Sequence, residues 1–293
     1  MQAPILKIDQ LGYDFLIDQE KHTALDTISF WINRGEIFGI VGESGCGKST
    51  LAKCIMNIYQ IQRGNIYFDG MEISNSAIYS KNKKEIAQKI QIVLQQGEAS
   101  LNPRLPVWKC ICEPAMIVKK YQIKKGWIAQ AEQWLQQLGL DVSYSRRYTY
   151  EMSGGQRQRV AIARALMADP KLLILDEGVA GLDVSVQAQV VNLLQSKVKQ
   201  NNMTLLWIGH DLALMHYLCD RIGVLYQGRL VELASADQLM RNPEHMYTKM
   251  LISCIPIPDP ILQRQRSFVF DTEIAVCHKD EWTEVQPGHF VLK

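Results

Sequence analysis

The sequence predicts an α/β fold, with buried strands that feed polar loops, helices between them, and an inserted helical segment. Three observations predict it. An apolar run, Glu36-Ile37-Phe38-Gly39-Ile40-Val41, leads into a glycine-rich loop and then a helix-forming stretch, residues 49–56. Three more short apolar runs, at 90–94, 171–175 and 204–208, each end on polar side chains. Residues 105–150 differ, carrying helical rather than strand periodicity.

At 293 residues the chain has room for one large or two small domains with a substantial core. Its 47% hydrophobic and 21% charged residues are those of an ordinary soluble globular protein, and a net charge of +2 argues against a dedicated nucleic-acid binder. The seven cysteines are odd in number and scattered, so they read as reduced thiols of a cytosolic protein. Cys110 and Cys112 have no second pair at zinc-site spacing. No apolar run approaches the ~18 residues needed to span a bilayer, and residues 1–30 lack a signal-peptide pattern. Any membrane role is therefore expected to run through a partner.

In chain order, Ile5, Leu6 and Ile8, then Ile28, Phe30 and Ile32, read as strands before a turn at Asn33-Arg34-Gly35. Tyr13 and Phe15 lie between them; such aromatics either stack on a base or pack within a strand, and the residues leave both open. After the loop helix, residues 65–70 read as a strand and the lysine-rich 71–88 as a solvated loop and short helix. Ile90 to Leu94 returns as a strand ending at Gln95. Positions 127, 128, 131, 134, 135 and 138 share one helical face, and Gly139 stops that helix. A helix follows Met152-Ser153-Gly154-Gly155-Gln156, and a strand ends at Asp176-Glu177. An amphipathic helix through Val190, Val191, Leu194 and Val198 precedes the strand that delivers Gly209-His210-Asp211. Residues 221–226 form a further strand, Pro256, Pro258 and Pro260 mark a linker, and 261–293 read as a short mixed tail.

The loop Gly42-Glu43-Ser44-Gly45-Cys46-Gly47-Lys48-Ser49-Thr50 carries the chemistry. Its glycines let successive backbone N–H groups turn inward as a nest for anionic oxygens. Lys48 adds a positive charge for the β- and γ-phosphates, and the Ser49 hydroxyl suits Mg²⁺. The following helix points its positive end at the same place. Asp176, after a hydrophobic strand, suits Mg²⁺ through water, and Glu177 can polarise an attacking water. Gln95 can touch both the metal and that water. His210 can reach a γ-phosphate, although alone such a residue is more often a packed core histidine. Ser153 to Gln156 form a second nest, yet one nucleotide needs one phosphate loop. The second nest is therefore expected to serve a nucleotide held by another subunit, in a dimer closed by ATP and opened by hydrolysis.

The order phosphate loop, Gln95, Ser153-Gly154-Gly155-Gln156, Asp176-Glu177, Asp183, His210 resembles the nucleotide-binding subunit of ABC transporters over about residues 4–255. The resemblance implies a P-loop NTPase of the ABC type, with a RecA-like mixed sheet, an N-terminal antiparallel β-subdomain and a helical subdomain at about 100–160. By the same resemblance, Phe15 or Tyr13 stacks on adenine, Gln95 senses the γ-phosphate, and Glu177 is the general base. His210 is the γ-phosphate switch, Asp183 crosses the dimer interface, and Ser153 to Gln156 complete the partner's site. Val41 to Thr50, Ala99 to Arg104, Leu182 to Gln187, Asn242 to Lys249 and Ile255 to Pro260 resemble one branch, the oligopeptide/dipeptide (and nickel) importer ATPases. That branch carries a C-terminal extension, here 256–293. This branch implies ATP and Mg²⁺ as cofactors and oligopeptides or dipeptides as cargo. Its partners are a second, paralogous ATPase, two transmembrane permeases and an extracytoplasmic binding protein. The location it implies is the cytoplasmic face of the inner membrane, with no nucleic acid involved.

Other readings are an importer of nickel or another solute, or an ATPase of a soluble complex such as phosphonate-cleavage machinery. The chain departs from the branch at Gly178, where Pro is usual, at Met152 for Leu, at Gln96-Gly97 for Asp-Pro, and at Met246 for Pro. A cysteine-rich tail segment is reduced to Cys277, so no iron–sulfur cluster is expected.

Overall fold

A computed structural model describes residues 3–95, 100–118, 126–179, 181–255 and 281–293. The chain begins with two long strands, β1 (Leu6–Ile17) and β2 (Glu20–Ile32), turned at Asp18 and Gln19 in left-handed backbone. β3 (Ile37–Val41) is buried at every residue and leads into helix α1 (Lys48–Ile55). β4 (Arg63–Phe68) and β5 (Met71–Glu72) pair antiparallel, with Tyr67 opposite Glu72. Helix α2 (Ser76–Lys89) is longer than the loop and short helix expected there. Asn75 caps it by accepting from the N–H groups of Ala77 and Ile78, and its one buried side chain, Ile86, leaves no apolar stripe to read.

β6 (Ile90–Val93) is followed by α3 (Val107–Val118) and α4 (Trp127–Gln137). Two 3-10 turns, Val142–Arg146 and Thr149–Glu151, precede α5 (Gly154–Met167). Then come β7 (Leu172–Asp176), α6 (Val184–Asn201), β8 (Thr204–Gly209) and α7 (Leu212–Leu218). β9 (Arg221–Tyr226), β10 (Arg229–Ser235), α8 (Ala236–Arg241) and α9 (Met246–Ser253) follow. A hairpin of β11 (Trp282–Gln286) and β12 (His289–Leu292) supplies strands in the stretch read from sequence as a mixed tail.

These elements divide into two compact units. The first comprises Met1–Leu6, Ile32–Glu36 and Tyr67–Leu206. In it β7 lies between β6 and β8. β6 and β7 run parallel, Ile90 opposite Leu172 and Val93 opposite Leu175. Every residue of β7 is buried, as a strand covered on both faces requires. α6 buries Val190, Val191, Leu194 and Val198, the face its periodicity predicts. α4 buries Trp127, Ala131 and Leu135, while Ile128, assigned to the same face, sits at its edge, 38% exposed. Gly139 takes φ of 69° just beyond α4, the left-handed turn that ends a helix.

The second unit comprises Lys7–Trp31, Ile37–Ile66 and Trp207–Lys293. In it β3 lies between β8 and β9 and runs parallel to β9. β10 pairs antiparallel with β9, β12 with β10, and β11 with β12, so the sheet is mixed. β1 lies between β2 and β4 in a separate, antiparallel sheet, and Phe30 of β2 stacks on Phe38 of β3 with ring centres 5.2 Å apart. The expected α/β fold, with its antiparallel N-terminal sheet and helical insert, is the fold observed.

Candidate functional site

In the second unit, the glycine-rich loop leaves the buried end of β3 and closes at Gly47, which takes φ of 108° ahead of α1. Two of its glycines are sterically required. A Cβ at Gly42 would lie 2.2 Å from the Leu225 carbonyl oxygen, and one at Gly47 2.6 Å from that of Ala24. The neighbouring β9–β10 turn joins the loop directly, the Gly228 N–H donating to Cys46 O at 3.0 Å.

Lys48 is buried, 5% exposed, and its Nζ donates to the carbonyls of Gly42 and Glu43 at 2.7 Å each. Its third donor faces the Cys46 thiol at 3.7 Å, a weak acceptor that an anionic oxygen outcompetes. Burial pushes the Cys46 thiol up, with the Lys48 charge opposing it. The flanking residues Glu43, Ser44 and Gly45 are exposed, while Ser49 and Thr50, in the first turn of α1, are half-buried.

Tyr13 and Phe15 of β1 form an aromatic group with a residue that sequence reasoning missed. Tyr59 stacks on Tyr13 at 5.2 Å and 8° between planes, and Phe15 sits edge-on to both rings. Lys53 lies 5.3 Å from the Tyr59 ring centre. Gly35 N–H donates to Thr204 Oγ1 and Leu205 N–H to Glu36 O, both at 3.0 Å, so β8 and β3 begin at the same end. His210, exposed just after β8, therefore lies at the end where β3 opens into the loop. Asp211 caps α7 by accepting from Leu214 N–H at 3.0 Å.

In the first unit, the ends of β6 and β7 bring two expected residues together. Gln95 Nε2 donates to Glu177 Oε2 at 2.7 Å. Asp176, the last residue of β7, is 2% exposed. Glu177 takes left-handed backbone, φ 50°, which turns its side chain out of strand alternation. Gly178, where the resemblance predicts Pro, is buried, and its carbonyl accepts from Gln158 Nε2 of α5 at 2.8 Å. That bond restrains the segment carrying Glu177 without a proline.

Ser153 caps α5 in a reciprocal box: its Oγ accepts from Gln156 N–H at 3.3 Å, and Gln156 Oε1 accepts from Ser153 N–H at 2.9 Å. Gln156 Nε2 also donates to the Tyr144 hydroxyl at 3.1 Å. Ser153 and Gly154 are exposed, and a Cβ at Gly155 would approach Leu182 to 3.2 Å. Asp183 caps α6, accepting from Val186 N–H at 2.9 Å and from Ser185 Oγ at 2.6 Å, and the Ser185 bond leads in lowering its carboxyl below the usual range. Met152 is buried, as the usual leucine would be, and Met246 is the first residue of α9, a position proline favours. Gln96-Gly97, Pro256 to Pro260 and Cys277 lie outside the described residues.

Tyr59, Gln158 and Tyr144 carried no readable signal, because single aromatic and amide residues mark no period. Tyr247 is a further omission. It is fully buried in α9, and its hydroxyl accepts from Glu43 N–H of the loop at 2.9 Å.

A glycine-rich loop between a buried strand and a helix, an acidic pair at a strand end and a helix capped by Ser153 fit an ABC-type ATPase, and the comparisons show that family. A family model described as ABC transporter matches residues 25–180, and one described as the C-terminal region of oligopeptide/dipeptide transporters matches residues 231–269. The chain belongs to the ABC transporter family, as an ATPase. It is 43% identical over 297 residues to the oligopeptide transport ATP-binding protein OppF of Bacillus subtilis (strain 168), spanning 100% of this chain and 97% of that one. It is 38% identical over 294 residues to AmiF of Streptococcus pneumoniae serotype 4, also an oligopeptide transport ATP-binding protein, spanning 99% and 95%. Among solved structures, the ATP-binding cassette MJ0796, a dimer in a post-hydrolysis state bound to ADP and Pi, superposes with a TM-score of 0.73 at 25% identity, over 79% of this chain and 98% of that one. CbiO1 of Clostridium perfringens, part of a transporter complex, superposes with a TM-score of 0.69 at 28% identity, over 84% and 94%.

Proposed function

We propose that this ATPase is the motor subunit of an oligopeptide importer, in which hydrolysis drives a cycle of dimer closure and opening. The hydrolytic part rests on the Glu177 carboxylate, held at the end of β7 by the Gln95 amide at 2.7 Å. A base so restrained is ready to take a proton from water. Gln95 meets the same carboxylate, so it is suited to report the γ-phosphate. Lys48 and the loop from Gly42 to Thr50 bind the phosphates, the Glu43 N–H being held by Tyr247 instead. Phe15 and Tyr13, with Tyr59, face adenine, and His210 contacts the γ-phosphate. Ser153 to Gln156 and Asp183 act on the nucleotide of the partner ATPase.

Among the described residues no group of three or more His, Cys, Asp or Glu forms a metal site. The oxygen donors Ser49, Asp176 and Gln95 are of the kind that suits Mg²⁺, which binds through few protein groups and the substrate's own phosphates. Ser49, Asp176 and Gln95 are the residues that would hold it, and it would neutralise charge developing on the phosphates.

The cargo reading rests on the relatives' printed function and the match to the peptide-transporter C-terminal region. Among the described residues no helix is long and apolar enough to cross a membrane. Two transmembrane permeases, a paralogous ATPase and an extracytoplasmic binding protein complete the assembly, with this chain peripheral on the cytoplasmic face.

The test is to trap Glu177→Gln with ATP in its native membranes, purify it and identify what copurifies. Recovery of a second ATPase with two multi-span proteins is expected, and peptide bound to the associated binding protein names the cargo. Recovery of soluble proteins alone refutes the importer reading.

A further inference from the structure

The C-terminal hairpin is linked to the phosphate loop by a series of buried and part-buried polar contacts inside the second unit. β12 pairs with β10 so that Glu232 lies opposite Val291. Glu232 and His289 are both fully buried, and His289 Nε2 donates to Glu232 Oε1 at 2.7 Å. The same carboxylate accepts from two backbone donors just ahead of α9, Glu244 N–H at 2.9 Å and His245 N–H at 3.0 Å. His245 Nδ1 then caps α9, accepting from Tyr247 N–H at 3.2 Å. Tyr247 packs its ring on Tyr226, with centres 4.3 Å apart, and its hydroxyl accepts from Glu43 N–H in the loop at 2.9 Å.

A buried carboxylate costs several kcal/mol unless charge-assisted donors satisfy it. Here three donors converge on one carboxylate, and two of them fix the start of α9, where a negative group also meets the positive end of the helix. Tyr247, the second residue of α9, is thereby fixed in position. Its hydroxyl engages a loop N–H at Glu43, next to the two carbonyls that hold Lys48.

We propose that the β11–β12 hairpin sets the conformation of the phosphate loop through His289, Glu232 and Tyr247, which makes Tyr247 a positioning residue for nucleotide binding. The inference rests on the reading of residues 42–50 as the phosphate loop. Loss of the Tyr247 hydroxyl frees Glu43 and weakens nucleotide binding without removing any group that touches the nucleotide.

The test measures MgADP and MgATP dissociation constants of the full chain, with melting temperature alongside. Tyr247→Phe, which keeps the ring, is expected to weaken both nucleotides about fivefold, the worth of one hydrogen bond. His289→Ala should weaken them similarly, and His289→Gln, which retains a donor, should recover most of the loss. The double variant Tyr247→Phe/His289→Ala should bind no more weakly than the worse single variant, since both act through one bond. Wild-type affinity in Tyr247→Phe, whatever its melting temperature, overturns the proposal, as do effects that multiply in the double variant. Should His289→Ala fail to fold, Tyr247→Phe and His289→Gln still decide. Lys48→Ala separates the two readings. If it also binds nucleotide normally, the phosphate-loop assignment fails and this inference with it; if it does not, an unaffected Tyr247→Phe defeats this inference alone.

Discussion

Glu177 joins two features at the residue scale, a left-handed backbone and a side chain held by Gln95. A non-glycine residue in that backbone region costs on the order of 1 kcal/mol, which the surrounding bonds must offset. Gln158 supplies one of them through the Gly178 carbonyl. Replacing the carboxylate by an amide of the same shape leaves this scaffold in place and removes only the proposed base. Glu177→Gln is therefore expected to bind ATP with near wild-type affinity and hydrolyse it at least about a hundredfold more slowly. Single-turnover phosphate release measures it, and near-normal turnover refutes the assignment. The loop with Lys48 is legible from its spacing, and the Asp176-Glu177 pair from its place at the end of an apolar strand. Tyr59 and Tyr247 are not, because their roles depend on contacts across long sequence separations, and nothing local distinguishes them from core aromatics.

Elements are fixed by caps and by charge at their ends. Asp69, in the β4–β5 turn, accepts from Lys171 at 2.8 Å and from Arg34, with Lys89 at 3.6 Å, all within the first unit. The Lys171 hydrogen bond first, then that of Arg34, holds its carboxyl well below the usual carboxylate range. A carboxyl lowered on folding stabilises the protein above its unfolded value, about 3.9, and that stabilisation is lost as pH falls through the folded value. Asp69→Asn is expected to cost about 1–2 kcal/mol at neutral pH, a figure reduced for solvent around the half-exposed Lys171. The gap to wild type should close as pH falls below about 4, which urea unfolding at several pH values tests. A gap that persists unchanged in acid refutes the charge argument. Helix α6 is legible because its buried stripe repeats, whereas α2, with one buried side chain, gives only the signal of a solvated loop and short helix.

The start of α5 at Ser153 is exposed. If that start serves a partner's nucleotide, Ser153→Arg should leave ATP binding by the isolated chain unchanged and abolish hydrolysis in the assembled dimer. Equilibrium binding and assembled ATPase assays separate the two, and a binding defect in the isolated chain contradicts the trans role. The α/β class and the helical insert were legible as changes of period along the chain. The pairing of β12 with β10 was not, since no local pattern states which distant strand a short tail strand will join.

That pairing has a temporal side. Glu232 and His289 are 57 positions apart, and ribosomes add about 5–20 residues each second, so the carboxylate exists for about 3–11 s before its imidazole is made. Through that interval the carboxylate lacks one of its three donors. On the proposed coupling, the loop of a nascent chain acquires its anchor only once β12 has been made, well after the loop itself.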